Sequence, residues 1–130
     1  MVASCHCNRI KITMPSLPTR LNECHCTACY KYGAIWAYFP RNEVRISVAD
    51  DTKIEAYIRA DGDGDLSFNR CSNCGCITHW WGEGEIPEGV EERMGVNCRL
   101  VPEKEIFGIE RTISPGPKRL PPGLAHLRVK

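Results

Sequence analysis

The stretch Cys71-Ser72-Asn73-Cys74-Gly75-Cys76 decides how the fold is interpreted, because it places a C-x-x-C turn in the middle of the chain. Such a turn brings two sulfur atoms to one side of a knuckle, at a separation suited to tetrahedral Zn²⁺ with Zn–S distances of about 2.3 Å. Gly75 favours this geometry, since the turn commonly needs a residue that can adopt a positive φ. Two sulfur atoms do not complete a tetrahedral site, so their partners must come from elsewhere in the chain.

Seven of the nine cysteines fall into three short motifs: Cys5 and Cys7; Cys24, Cys26 and Cys29; Cys71 and Cys74. One grouping joins the first motif to the last, and we call these residues the four-cysteine cluster. The middle motif is then a separate three-cysteine cluster. A zinc ion closed by four cysteines is structural, whereas three protein ligands leave a position for water or substrate. This grouping makes the three-cysteine cluster the catalytic candidate, with an open zinc ion that binds a thiol as thiolate.

Other assignments of the cysteines stay open at this point. Cys26 and Cys29 with Cys71 and Cys74 would form a four-cysteine zinc ribbon, although the intervening stretch exceeds the usual spacing of about 15–20 residues. An iron–sulfur cluster is chemically allowed, but neither familiar ferredoxin spacing is present. Disulfides are a third alternative, which strained C-x-C bridges and a reducing compartment disfavour.

Composition and charge restrict the class of protein. A length of 130 residues indicates one domain. The net charge of +1 argues against a protein that coats nucleic acid. The longest apolar stretch, Gly33–Pro40, is far shorter than the ~20 residues that span a bilayer. The first residues, Met-Val-Ala-Ser-Cys-His-Cys, lack the features of a signal peptide, so we expect a cytoplasmic protein. Clustered cysteines in that compartment favour metal binding or catalysis.

The pattern of apolar residues predicts a mainly β, antiparallel fold with short helical segments. The predicted strands are Arg9–Thr13, Ala34–Phe39, Val44–Val48, Lys53–Arg59, Leu66–Arg70, Ile77–Trp81 and Met94–Leu100. We expect the second to the fifth of these to form a meander, Leu21–Gly33 to be a metal-binding loop, and a short helix to start at Pro102. Residues 1–112 form the predicted zinc-binding domain, and residues 113–130, rich in proline and basic residues, form a C-terminal arm.

Together these motifs resemble the glutathione-dependent formaldehyde-activating enzyme family, whose domain is shared with centromere protein V. The resemblance runs from Cys5 to about Arg111 and includes Tyr32-Gly33-Ala34 and Thr78-His79-Trp80. It implies a zinc-clasped antiparallel β-tent (Mss-four-like) fold, with a structural zinc on the four-cysteine cluster and a catalytic zinc on the three-cysteine cluster. Two positions depart from the family pattern: Asn8 replaces a glycine, and Tyr30 replaces an arginine.

The function implied by the resemblance is a zinc-dependent carbon–sulfur lyase, similar to S-(hydroxymethyl)glutathione synthase. Its partners would be glutathione or another small thiol and an aldehyde, formaldehyde in the named activity. Two alternatives stay open: a zinc-stabilised module that binds protein or nucleic acid, and a thiol redox enzyme of the methionine sulfoxide reductase type. The sequence leaves open whether the chain forms homo-oligomers.

Three further residues are candidates for roles at these sites. His79 is the histidine best placed to act as a site residue or proton shuttle, and its alternative role is a packed strand residue. Cys76 is a candidate fourth metal ligand. Cys98 is expected to be a small buried thiol, and a redox nucleophile is the alternative.

Overall fold

The protein consists of two β-sheets with short helical segments between their strands. The structure is a computed structural model that describes residues 1–61, 66–84, 88–89 and 91–115. The strands of the described residues are β1 Val2–Ser4, β2 Ile10–Thr13, β3 Arg20–Cys24, β4 Trp36–Pro40, β5 Arg45–Val48, β6 Ile54–Ile58, β7 Leu66–Cys71, β8 Ile77–Gly82, β9 Arg93–Asn97 and β10 Glu110–Ser114. The α-helices are α1 Thr27–Tyr32 and α2 Glu103–Ile106, and 3₁₀ turns cover Arg41–Glu43 and Cys98–Leu100. The predicted mainly β class is confirmed.

The small sheet has the order β1-β2-β5, and the large sheet has the order β10-β3-β4-β9-β8-β7-β6. Their strands follow the period-two rule, in which alternate side chains face the core. In β2, Ile10 and Ile12 are fully buried while the residues between and after them are exposed. Ile10 and Ile12 belong to the same apolar core as Val96 of the large sheet, so this core joins the two sheets.

Two of the three pairings in the predicted meander, β4 with β5 and β5 with β6, are wrong. β4 pairs with β9 in the large sheet, and β5 pairs with β2 in the small sheet. The 3₁₀ turn at Arg41–Glu43 carries the chain from one sheet to the other. The third pairing is confirmed, since β6 and β7 are antiparallel neighbours. Alternation predicts where a strand lies but not which strand it pairs with.

The predicted metal-binding loop at Leu21–Gly33 is mostly regular structure. Its first part belongs to β3, and its second part is α1. The Cys26 side chain caps α1 by accepting the backbone N–H of Cys29, and Gly33 ends the helix at a φ of 66°. A cysteine thus does what serine or aspartate commonly does at a helix start.

The C-terminal strand β10 pairs with β3 in parallel. It ends at Ser114, whose carbonyl oxygen accepts the backbone N–H of His25 over 2.7 Å. The large sheet therefore extends two residues beyond the predicted boundary at 112, and residues 116–130 of the predicted arm lie outside the described residues. Among the described residues, no helix is long and apolar enough to cross a bilayer.

Candidate metal centres

The four-cysteine cluster joins the two sheets. Its sulfur atoms all lie within 4.8 Å of one another. Cys5 follows β1 of the small sheet, and Cys71 is the last residue of β7 in the large sheet. Cys7 Sγ lies 3.6 Å from both Cys5 Sγ and Cys71 Sγ. Four thiols in one such group suit a closed tetrahedral zinc site.

Two tight turns present these sulfur atoms. After the C-x-C motif the chain turns at Asn8, whose φ of 63° is tolerated by asparagine better than by most residues. After the C-x-x-C motif it turns at Gly75, whose φ is 79°. Backbone N–H groups of Ile10 and Asn73 donate to Cys5 Sγ and Cys71 Sγ over 3.3 and 3.4 Å. The backbone is thus shaped to stabilise sulfur atoms that carry negative charge.

The thiols of this cluster differ in acidity. Burial raises the pKa of Cys5 to about 12, whereas a hydrogen bond with the Asn73 side chain lowers the pKa of Cys7 to about 5. Without a cation, therefore, the cluster retains part of its protons. A divalent metal that binds here must displace them.

The three-cysteine cluster lies where β3 meets α1. Cys24 is the last residue of β3, Cys26 caps α1, and Cys29 lies inside the helix. All three side chains are buried, and their sulfur atoms lie within 4.8 Å of one another. Contacts with the other two sulfur atoms raise the pKa of Cys29 and lower that of Cys26. Negative charge is therefore favoured at Cys26, beside two other buried sulfur atoms, and a cation would stabilise it.

Two buried side chains donate hydrogen bonds to this cluster. Trp36 Nε1 donates to Cys29 Sγ over 3.3 Å, and Arg59 Nη1 donates to Cys26 Sγ over 3.7 Å. Tyr30 and Lys31, which follow Cys29, are exposed. The buried cation beside the sulfur atoms is therefore Arg59. Sequence reasoning missed it, since one arginine at the end of a polar strand carries no distinguishing signal.

An aromatic surface lies next to the three-cysteine cluster. Its members pack against the cysteines on one face of the large sheet: Trp36, Tyr38, Phe68 and Trp80. Tyr38 and Trp80 flank Gly95 on neighbouring strands, with their ring centroids 6.0 Å apart. A Cβ at Gly95 would overlap the Trp80 indole, so the glycine allows the close approach of that ring.

A polar pair stands beside this surface. Asn22 lies on β3, two residues before Cys24, so both side chains face the same side of the sheet. Its Nδ2 donates to the Tyr38 hydroxyl over 2.6 Å, and burial raises the pKa of Tyr38. The Asn22 Oδ1 atom is buried without a hydrogen-bond partner among the described residues. A buried acceptor of this kind usually indicates a missing ligand or water.

His79 faces away from the three-cysteine cluster. The register pairs it with Val96, a member of the core between the sheets, whereas its neighbour Trp80 faces the cysteines. The His79 ring is fully buried, 4.3 Å from that of Trp81, and its Nδ1 atom lies 2.8 Å from Thr78 Oγ1. Burial lowers its pKa to about 4. This placement matches the alternative prediction of a packed strand residue.

The two remaining cysteines lie outside both groups of sulfur atoms. Cys98 is fully buried in the core, where burial raises its pKa to about 11. That environment disfavours the reactive thiolate of a redox enzyme. Cys76 is half-buried beside the four-cysteine cluster, and burial raises its pKa.

Comparison with known proteins gives a family and a fold. The sequence model of a family described as glutathione-dependent formaldehyde-activating enzyme matches residues 1–108. Among curated proteins, none matches. The crystal structure of a Rhodobacter sphaeroides protein, a structural genomics target, is similar with a TM-score of 0.64 and 22% sequence identity. That similarity covers 86% of this chain and 100% of the other, and it shows a shared fold.

Proposed function

The chain belongs to the glutathione-dependent formaldehyde-activating enzyme family, and on this premise we propose that it is a carbon–sulfur lyase that joins a small thiol to an aldehyde. Glutathione and formaldehyde are the substrates that the family description suggests. The observation that carries the proposal is the three-cysteine cluster, three buried sulfur atoms within 4.8 Å of one another beside an aromatic and polar surface.

The donor sets of both clusters fit zinc. Thiolates are soft ligands that select zinc over hard cations such as Mg²⁺ or Ca²⁺. We assign a structural zinc to the four-cysteine cluster and a reactive zinc to Cys24, Cys26 and Cys29. When bound, the reactive zinc supplies Lewis acidity that holds a substrate thiol as its thiolate.

Tyr38 would stabilise the oxygen of the aldehyde. Its hydroxyl oxygen accepts a hydrogen bond from Asn22, so its own proton is available for donation, and its raised pKa keeps that proton in place at neutral pH. As the thiolate sulfur forms a bond to the carbonyl carbon, the C=O π electrons move to oxygen. Tyr38 donates a hydrogen bond to this developing oxyanion, and the proton first released by the thiol completes the hydroxyl group.

The remaining residues of this surface would bind the thiol. Trp36, Phe68 and Trp80 present apolar area that keeps water away from the reacting sulfur. The unpartnered Asn22 Oδ1 accepts an N–H group, and a peptide-like thiol such as glutathione carries amide N–H groups.

The test is adduct exchange with zinc-loaded protein. Exchange between glutathione, formaldehyde and their adduct is followed by NMR, with other small thiols compared in the same way. We expect exchange above the spontaneous rate, and a loss of about 10²-fold in Tyr38→Phe, as when one donor to an oxyanion is removed. Tyr30→Phe is the matched control, because Tyr30 is 66% exposed. Exchange at the spontaneous rate for every thiol, with both clusters loaded, would refute the proposal.

A further inference from the structure

A buried arginine contacts the three-cysteine cluster from an element that contributes none of its cysteines. Arg59 lies directly after β6, and only 2% of its side chain is exposed. Its Nη1 atom reaches Cys26 Sγ. We propose that Arg59 is a positioning residue that holds Cys26 in place and balances the charge of the metal-loaded cluster, so that the cluster accepts an anionic thiolate. This role rests on the proposed function, because it requires a metal at the cluster.

The orientation of the guanidinium group is set by contacts on its other sides. Its Nε and Nη2 atoms donate to the two carboxylate oxygens of Asp61 over 2.9 and 3.2 Å. Nη2 also donates to Thr27 Oγ1 over 3.2 Å, and that hydroxyl donates to Asp61. Thr27 is the residue after Cys26 and the first of α1. Because the guanidinium is planar and rigid, these contacts direct Nη1 at the sulfur atom.

The surroundings of Arg59 favour a negatively charged cluster. A buried guanidinium needs anionic partners, because its desolvation is costly. Asp61 supplies one carboxylate, but its side chain is 48% exposed. The buried sulfur that accepts a hydrogen bond from Arg59 is that of Cys26. A neutral thiol is only a weak hydrogen-bond acceptor, whereas a thiolate is a strong one. A thiolate at Cys26 is therefore the state that this arrangement stabilises.

The net charge of the metal-loaded cluster affects how readily a thiolate binds as the fourth ligand. Three thiolates and one divalent ion carry a single net negative charge, which repels an incoming thiolate. The permanent positive charge of Arg59 compensates it at hydrogen-bond distance from one of the sulfur atoms. The guanidinium carbon also lies 5.7 Å from the centroid of the Phe68 ring, on the aromatic surface described above. Arg59 thus lies close both to a metal ligand and to the surface assigned to the substrate.

The test compares Arg59→Gln and Arg59→Lys with the control Arg70→Gln. Arg70 is 39% exposed and pairs with Glu55 on the same sheet. Each protein is loaded with Co²⁺, and chelator competition measures the affinity of each cluster for the metal. Titration with 2-mercaptoethanol then follows the absorption bands of the three-cysteine cluster. In Arg59→Gln we expect a loss of about 10- to 100-fold in both metal and thiol affinity, the range for residues that support metal ligands.

The variants separate charge from geometry. Arg59→Lys keeps the charge but loses the planar fork, so we expect weaker metal binding but retained thiol coordination. Arg70→Gln should leave both affinities unchanged. Absorption of the four-cysteine cluster reports whether each variant folds. If Arg59→Gln does not fold, the comparison of Arg59→Lys with the wild type tests the proposal. Loss of thiol coordination in Arg59→Lys with its metal retained would overturn the charge-balancing role.

The outcomes also distinguish this role from the proposed function. If the wild-type three-cysteine cluster binds no metal, both are refuted. If it binds metal and thiol equally well in the wild type and in Arg59→Gln, the role of Arg59 is overturned while the proposed function stands.

Discussion

The buried histidine His79 predicts a specific dependence of stability on pH. Its pKa of about 4 in the folded protein compares with 6.5 for an unperturbed histidine, because burial disfavours the charged ring. A depressed pKa contributes stability that is present above pH 6.5 and is lost as the pH falls toward 4. Between pH 7 and pH 5 this amounts to about 2 kcal/mol in the free energy of unfolding.

The perturbation is His79→Gln, which removes the titrating group. Urea denaturation at pH 7, 6 and 5, with excess zinc, measures the free energy of unfolding. We expect the wild type to lose about 2 kcal/mol more than the variant between pH 7 and pH 5. The exposed His6 is the control, and His6→Gln should behave as the wild type does. Acid release of zinc affects all three proteins, so the difference between them isolates His79.

The same variant separates a packed histidine from a proton shuttle. Because His79 faces the core between the sheets, the pH profile of adduct exchange should keep its shape in His79→Gln. Equal losses of stability in wild type and variant would refute the burial argument. A displaced pH profile would instead support a role for His79 as a proton shuttle at the site.

Three other perturbations test particular parts of the structure. Gly95→Ala should destabilise the protein by about 1–3 kcal/mol and alter tryptophan fluorescence, because the new methyl group overlaps Trp80. Gly108→Ala is the control, since nothing lies within 4 Å of a Cβ there. Equal effects in the two variants would contradict the close packing of Trp80 against Gly95. Cys98 should resist alkylation by iodoacetamide at pH 8 until the protein unfolds, as followed by mass spectrometry. Rapid alkylation of Cys98 in the folded protein would favour a redox role instead. Cys71→Ser should abolish the cooperative fold seen by circular dichroism, since a structural zinc contributes on the order of 10 kcal/mol. Cys24→Ser should retain that fold, and the reverse result would exchange the roles of the two clusters.

The grouping of sulfur atoms could be predicted because cysteine spacing carries strong local information. The structure places Cys5 and Cys7 beside Cys71 and Cys74, and keeps the middle motif apart, as one of the predicted groupings had it. That zinc binds there stays a prediction. Strands such as β2 could be predicted for a similar reason, since alternate burial is written directly in alternate residues.

Features that depend on distant parts of the chain could not be predicted in this way. The partners of β4 and β5 follow from packing between sheets, which a pattern within one strand does not contain. The pairing of β7 with β8 contains an irregularity between Asn69 and Arg70, which alternation within one strand does not predict. Arg59 reaches Cys26 across 33 positions of sequence, and no motif links the two residues.

The proposed function depends most on a difference between the two clusters: one closed by four sulfur atoms, the other held by three and open to a thiol. The most direct test is ¹¹³Cd NMR of cadmium-loaded protein, with and without glutathione, because the chemical shift of the metal reports its sulfur ligands. We predict two resonances per chain, of which glutathione shifts only the one that Cys24→Ser abolishes. A single resonance, or two that glutathione leaves unchanged, would contradict the account.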